Sequence, residues 1–234
     1  MPIMQNNICI IPARGGSKRI PRKNIKDFLG RPIISYSIEA ARDSGLFKDI
    51  IVSTDDEEIA EVAIRYGAKV PFLRSKENAD DFATTLDVLK EVWENCLKHG
   101  WEYTSICCIY PTAPFVTGEK LVQAFQLFEN KGFESLLPVI RYSFPIQRSF
   151  LKTEDAAVAY QFPEYKNSRS QDLNASFHDA GQFYWLREAV LKGDSIINSS
   201  SGAIEIDELE GQDIDNETDW KLAELKYELL HNIK

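Results

Sequence analysis

The chain of 234 residues is poor in histidine and methionine, with three of the first and two of the second, and has only four cysteines. No apolar run is longer than about five residues, whereas roughly 20 are needed to span a bilayer, so a transmembrane helix is not expected. The first residues carry no basic start, apolar stretch or small-residue cleavage site, which makes the cytoplasm the expected compartment. Cys9, Cys96, Cys107 and Cys108 show no CxxC spacing, and three of them lie in apolar, strand-like runs. Buried free thiols are expected rather than a disulfide framework. His99, His178 and His231 are scattered, and none stands at ligand spacing from a cysteine, so zinc has little support. GxGxxG, GxxxxGK[ST] and GxSxG are also missing. A Rossmann dinucleotide site, a Walker site and an α/β-hydrolase elbow are therefore disfavoured.

Positive charge is in deficit: 27 Lys plus Arg stand against 36 Asp plus Glu, a net −9. An acidic body argues against nucleic acid or anionic membrane as a partner. The deficit is uneven. The first 31 residues hold seven basic side chains and one acid, Asp27, a local +6 that leaves −15 for the remaining 203 residues. Such a cluster can still bind a small, highly charged anion. With 44% hydrophobic and 27% charged residues, the chain is ordinary globular material. Its length suits one large domain or a domain with a subdomain.

Short β-rich runs alternate with amphipathic stretches. Strands are expected at 8–11, 50–53, 70–73, 105–110, 135–140, 182–186 and 203–206. The proline at position 71 marks its strand as an edge or an end. Helices are expected from Pro32 to Gly45, after Asp55 and Asp56, from Thr84 or Thr85 through Leu97, around 121–128, and from Thr218 onward. This alternation predicts an α/β fold, a mostly parallel twisted sheet with helices on both faces and ligands at the carboxyl ends of the strands. Between Arg141 and Ser176 the rhythm fails, which predicts an inserted arm or subdomain.

The first strand runs into Pro12-Ala13-Arg14-Gly15-Gly16-Ser17-Lys18-Arg19-Ile20-Pro21-Arg22-Lys23-Asn24. Adjacent glycines let backbone N–H groups approach an anion, Ser17 offers a hydroxyl, and the basic side chains neutralise several charges, which suits a polyphosphate better than a merely solvated loop. Asp213 and Asp215 alternate in an extended segment, so their carboxylates point the same way and can share a hard cation such as magnesium. Helix capping by Asp215, Asn216 or Asp219 is the competing reading, and the two are compatible. Asp55 and Asp56 are better explained by stabilising the start of the next helix, because Glu57 and Glu58 continue the acidic turn. His178-Asp179 lacks the other parts of a hydrolase site, and a substrate-binding or loop role suits it equally well.

At 11–18 and 21–24 the sequence resembles the CMP-sialic acid synthetase (acylneuraminate cytidylyltransferase) family. Val52-Ser53-Thr54-Asp55, Phe72-Leu73-Arg74, Tyr110-Pro111-Thr112-Ala113-Pro114 and Asp213-Ile214-Asp215 agree with it along most of the chain. Within that family, 80–85 and 177–185 look most like the pseudaminic acid cytidylyltransferases. The resemblance implies a Rossmann-like nucleotidyltransferase domain from 1–140 and 177–234, with 141–176 as a small dimerisation region and a homodimer as the assembly. It implies transfer of CMP from CTP to the anomeric hydroxyl of a nine-carbon α-keto acid sugar, with Mg2+ on Asp213 and Asp215 and pyrophosphate released. Arg14, Ser17, Lys18 and Lys23 would face the triphosphate together with Ala13, Gly15 and Gly16. Asn24 would meet the nucleotide near the α-phosphate, and Arg74 with Thr84 or Thr85 would lie beside the cytosine. Arg14, Lys23, Asp213 and Asp215 would carry the chemistry. Tyr110, Arg148, Arg169, His178, Asp179, Gln182 and Tyr184 would face the sugar. Tyr110 and Ala180 depart from the glutamine and asparagine common in sialic acid enzymes, which argues against N-acetylneuraminate itself as the acceptor. Legionaminate or 3-deoxy-octulosonate are the related acceptors. A phosphohydrolase using Asp55 or His178, or a silent CTP-binding protein, are the alternatives of another class.

Overall fold

The computed structural model describes residues 6–80 and 82–233. Residues 1–5, on which the expectation of a cytoplasmic compartment rests, residue 81, within 80–85, and residue 234 lie outside the described residues.

Strand β1 (Asn7–Pro12) lies inside the sheet, parallel to both β4 (Phe47–Ser53) and β5 (Ser105–Ile109). Its side chains alternate between two cores, as the period of two requires. Cys9 and Ile11 point to one face with Cys107 and Ile109, and Ile8 and Ile10 to the other with Ile106 and Cys108. The first face is covered by α1 (Ile34–Ser44), α2 (Glu57–Arg65) and α4 (Gly118–Lys131), the second mainly by α3 (Thr85–Lys98). All four cysteines are buried thiols, as expected.

The sheet continues through β6 (Ser135–Arg141), β10 (Phe183–Leu186) and β11 (Ser201–Ile206), in the order β11-β6-β10-β5-β1-β4, with β9 (Phe177–Asp179) also on β6. Strands β1, β4, β5, β6 and β11 run the same way, whereas β9 and β10 are antiparallel to their neighbours. The mostly parallel sheet with helices on both faces is therefore observed. Trp185, fully buried on β10, packs against Phe47, Phe125 and Phe128 and ties the antiparallel insertion to the core. Helix α5 (Glu217–His231) lies over the loop after β1, where Trp220 and Tyr227 meet Phe28 edge to face. Ile20, Ile33 and Ile214 join this third cluster, which carries 213–215 across to the first loop.

Two sequence-based elements are corrected. Residues 70–73 form no strand: only Lys69 bridges to Ile51, and Pro71 has no N–H to extend the ladder. Pro32 does not open α1 but sits in β3 (Arg31–Pro32), paired with β2 (Asp27–Phe28) through a turn at Leu29 and Gly30, both at positive φ. Helix α1 then starts at Ile34 and ends, as expected, at a left-handed Gly45.

Arg141 is the last residue of β6, and residues 142–176 leave the sheet as a chain of short 3-10 turns and one hairpin, β7 (Phe150–Lys152) with β8 (Val158–Tyr160). No residue of this stretch is buried. Phe144 and Val158 are 84% and 65% exposed, so the arm has no core of its own.

Candidate active site

The loop after β1 is held by backbone and side-chain contacts. Ala13 donates its N–H to Ser53 O at 2.9 Å, prolonging the β1–β4 pairing, and its side chain lies in the core. Gly15 is required by close approach, because a Cβ there would stand 2.7 Å from Asp56 Oδ2. Gly16 meets no such obstacle. Asn24, buried, donates Nδ2 to Arg14 O at 2.9 Å and closes the loop on itself. Lys23 reaches across to Ile214 O at 2.8 Å. Burial pulls its ammonium below the ordinary lysine range, partly offset by Asp215 and Asp213.

From the other side, Ile214 is anchored in the third cluster, and its neighbours Asp213 and Asp215 face the loop. Burial, and then repulsion from Asp215, raises Asp213 above the usual carboxylate range. Asp215 pairs with Arg19 at 2.7 Å. Capping of α5 falls to Asn216 and Asp219, whose side chains bond the first backbone N–H groups in a capping box. The two alternating aspartates are thus left for the pocket. This cavity, of about 480 Å3, is lined by Arg14, Ser17, Lys18, Lys23, Asn24, Tyr110, Asp213 and Asp215 of the expected residues, and by Arg19, Pro111 and Thr112, which sequence reasoning did not single out.

A second cavity of about 220 Å3 opens beside it, with Arg14 and Tyr110 common to both and Arg74, Thr84 and Thr85 on its far walls. Arg74 is buried, bonding Ser53 through Nε and Nη2. Burial lowers its guanidinium from the ordinary value. The side chain of Thr84 caps α3 through Asp87 N, whereas Thr85 Oγ1 lies 3.0 Å from the Tyr110 hydroxyl. A third cavity, about 250 Å3, shares Thr84, Thr85 and Tyr110 and adds Asp179, Tyr184 and residues 194–197. Tyr184 donates its hydroxyl to Asp179 Oδ2 at 2.6 Å, and the other oxygen of Asp179 accepts from Gly181 N, in a turn where glycine takes φ 63°. Burial raises both tyrosine hydroxyls, so they stay protonated donors.

The remaining expected residues stand apart. Gln182 is buried behind Tyr110, taking its N–H at the backbone and donating Nε2 to Glu210 O. His178 lies against Tyr142 with the rings tilted and their centres 5.0 Å apart, and its Nδ1 is 2.9 Å from Asp179 O rather than facing a carboxylate. Arg148 lines a separate hollow of the arm and donates to Ser170 Oγ, and Arg169 precedes a 3-10 turn there. Asp56 caps α2 as expected, accepting from Ile59 N at 3.0 Å.

A family model described as "Cytidylyltransferase" matches residues 8–215. The chain is 44% identical over 227 residues to a pseudaminic acid cytidylyltransferase of Campylobacter jejuni, covering 96% of this chain and 97% of that one. The chain belongs to the cytidylyltransferase family. As a family member it is a nucleotidyltransferase enzyme. It is also 30% identical to a CMP-N,N'-diacetyllegionaminic acid synthase of Legionella pneumophila, over 95% of this chain and 96% of that one. Its fold matches a CMP-2-keto-3-deoxy-manno-octonic acid synthetase solved with CTP, at TM-score 0.69 and 17% identity, over 98% of this chain and 100% of that one.

Two features of this pocket have little signal in sequence. Arg19 is one cation among several in its loop, and its partner Asp215 is 196 residues away. Residues 194–197 carry no motif, and only the packing of the loop after β10 brings them to Tyr110. Among the described residues no helix is long and apolar enough to cross a membrane.

Proposed function

We propose that the protein transfers CMP from CTP to the anomeric hydroxyl of a nine-carbon α-keto acid sugar, with pseudaminic acid as the favoured acceptor. One observation carries this reading: Arg14, Lys18 and Lys23 share a cavity with Asp213 and Asp215, and Tyr110 joins that cavity to two others. A triphosphate fits the first cavity by charge, a cytosine fits the second beside Arg74 and Thr85, and the sugar's polar substituents fit the third. The identity to the Campylobacter enzyme supports the choice of pseudaminic acid.

The sugar hydroxyl gives up its proton to solvent and attacks the α-phosphorus, a new P–O bond forms, and the oxygen that joined the α- to the β-phosphate leaves with the pyrophosphate. Negative charge gathers on the α-phosphate and the leaving group, where preorganised cations act most strongly. Lys23 and Arg14 are fixed there by Ile214 O and Asp80 O. Asp213 and Asp215 would hold Mg2+. The donor set fits, because magnesium is commonly bound by one or two carboxylates completed by substrate phosphates and water. Burial first and repulsion from Asp215 second raise Asp213, and a cation between the two carboxylates would relieve the repulsion. When bound, the metal would supply further neutralisation of the phosphates.

The assembly we propose is a homodimer built on 141–176. An arm without a buried residue, yet with Phe144, Phe150, Leu151 and Val158 exposed, needs a cover. In that assembly Arg148 and Arg169 would reach the sugar carboxylate of one or other subunit. Sedimentation should give twice the chain mass, and a monomer at micromolar concentration would exclude this assembly.

The test of function is pyrophosphate release from CTP and Mg2+ with a panel of pseudaminic, legionaminic, N-acetylneuraminic and 3-deoxy-octulosonic acids. Turnover is expected with pseudaminic acid foremost. No turnover with any of the four would refute the transferase reading. Phosphate or CMP release without a sugar would favour a hydrolase instead.

A further inference from the structure

Asp55 and Asp56 follow β4 beside the anion loop, and the proposed chemistry uses neither. Each holds one end of the anion loop. Asp55 Oδ1 accepts from Gly15 N at 2.9 Å. Asp56 takes Arg22 as a two-point pair, Oδ2 from Nη1 at 2.5 Å and Oδ1 from Nη2 at 2.9 Å, and Glu58 takes Nη2 as well. The residues between these anchors include Ser17, Lys18 and Arg19, all on the cavity wall.

Arg22 also stands in the left-handed region, at φ 56° and ψ 29°, a conformation that a residue with a Cβ holds only when its surroundings impose it. The reversal has a use. Ile25 N bonds Arg22 O at 3.0 Å, starting the 3-10 turn Lys23–Ile25, from which Lys23 reaches Ile214 O and Asn24 reaches Arg14 O. The guanidinium in turn holds the Asp56 carboxyl below its usual range. Arg22 itself does not line the cavity.

We propose that Asp55 and Asp56 form a two-point clamp on residues 15–22, and that Arg22 is a positioning residue that sets Lys23 and Asn24 for the nucleotide without touching it. The clamp shapes the loop before the ligand arrives, which reduces the ordering left to the binding step. The inference rests on the triphosphate site proposed above.

Asp56 has two roles, and one substitution separates them. Asn is as good an N-cap as Asp, so Asp56→Asn keeps the start of α2 while removing the ionic pair. Arg22→Ala removes the pair from the other side. Both variants are expected to raise the CTP KM about tenfold, with the sugar KM unchanged and the double variant no worse than Arg22→Ala alone, because without Arg22 the Asp56 carboxylate has no partner left to lose. Arg22→Lys, which keeps one charge without the fork, should recover part of the loss. A wild-type CTP KM in Asp56→Asn, with or without a lowered Tm, would overturn the clamp, as would independent losses that add in the double variant. Amide hydrogen exchange without nucleotide gives a readout that stands even if CTP proves not to be the substrate. Faster exchange confined to residues 15–25 in both variants supports the clamp, and unchanged exchange there refutes it.

Discussion

On one side of Tyr110 the walls are lysine, arginine and a pair of aspartates; on the other they are Asp179, Asp194, hydroxyls and two isoleucines, with no lysine or arginine. The two sides differ in how they are held as well as in charge. The cationic side is built from loops at opposite ends of the chain, joined by Lys23 to Ile214 and Arg19 to Asp215. The acceptor side is built on the central sheet, with Tyr184 in β10 and Asp179 in β9. A polyanion is excluded from the second by charge, and an uncharged polar group gains little in the first. The contrast agrees with the proposal that triphosphate and sugar substituents take different walls, and variants on each should then fail in different ways.

The largest effect is expected from Asp213→Ala and Lys23→Ala. Lys23→Ala removes a cation from the proposed phosphate site and Asp213→Ala a proposed ligand of Mg2+, so in each kcat should fall by about a hundredfold or more. Circular dichroism should show the fold retained, because Ile214, not its neighbours, is anchored in the core. A near wild-type kcat in Asp213→Ala would withdraw the metal role.

On the other wall, Tyr184→Phe removes the hydroxyl that Asp179 accepts and leaves the ring in place. Without that bond Asp179 is no longer held against the third cavity, so the sugar KM should rise roughly tenfold while the CTP KM stays constant. A rise in the CTP KM instead would mean that the third cavity is not separate. Thr85→Val, which takes away the partner of the Tyr110 hydroxyl at the junction, should raise both constants by a smaller factor, about threefold. An effect on only one of them would assign Thr85 to a single cavity.

This division was only partly legible in the sequence. Period-two runs and amphipathic stretches gave β1, β4, β5, β6 and the helices, because burial on both faces leaves a plain apolar signature. Strands β9 and β10 run antiparallel to β6, and nothing in Phe177-His178-Asp179 marks direction. The β2–β3 hairpin turns on Leu29 at φ 52°, a choice no leucine advertises. The cationic wall was readable because its residues cluster within 14–24 and within one Asp-Ile-Asp. The clamp was not. Asp56 was read as a cap, which it is, and its second partner, Arg22, is 34 residues away on another loop.

A control away from both walls sharpens the comparison. Asp49, near the amino-terminal end of β4, is nearly buried and accepts from Tyr103 Oη at 2.6 Å and Lys69 Nζ at 2.5 Å. Burial alone would raise its carboxyl, but the bonds from Lys69 and Tyr103 outweigh it and hold the group below the ordinary range. A depressed carboxylate contributes stability that is complete above its unfolded value, near 4, and fades as pH falls through the lower folded value. Tyr103→Phe should therefore cost about 1.5 kcal/mol in urea unfolding at pH 7. The cost should shrink in unfolding at pH 3, as Asp49 begins to lose its charge. Both KM values should stay at wild type, because the pair lies at the end of the sheet away from Tyr110. A cost that does not change with pH would mean that the tyrosine stabilises through packing against Trp93, not through the carboxylate.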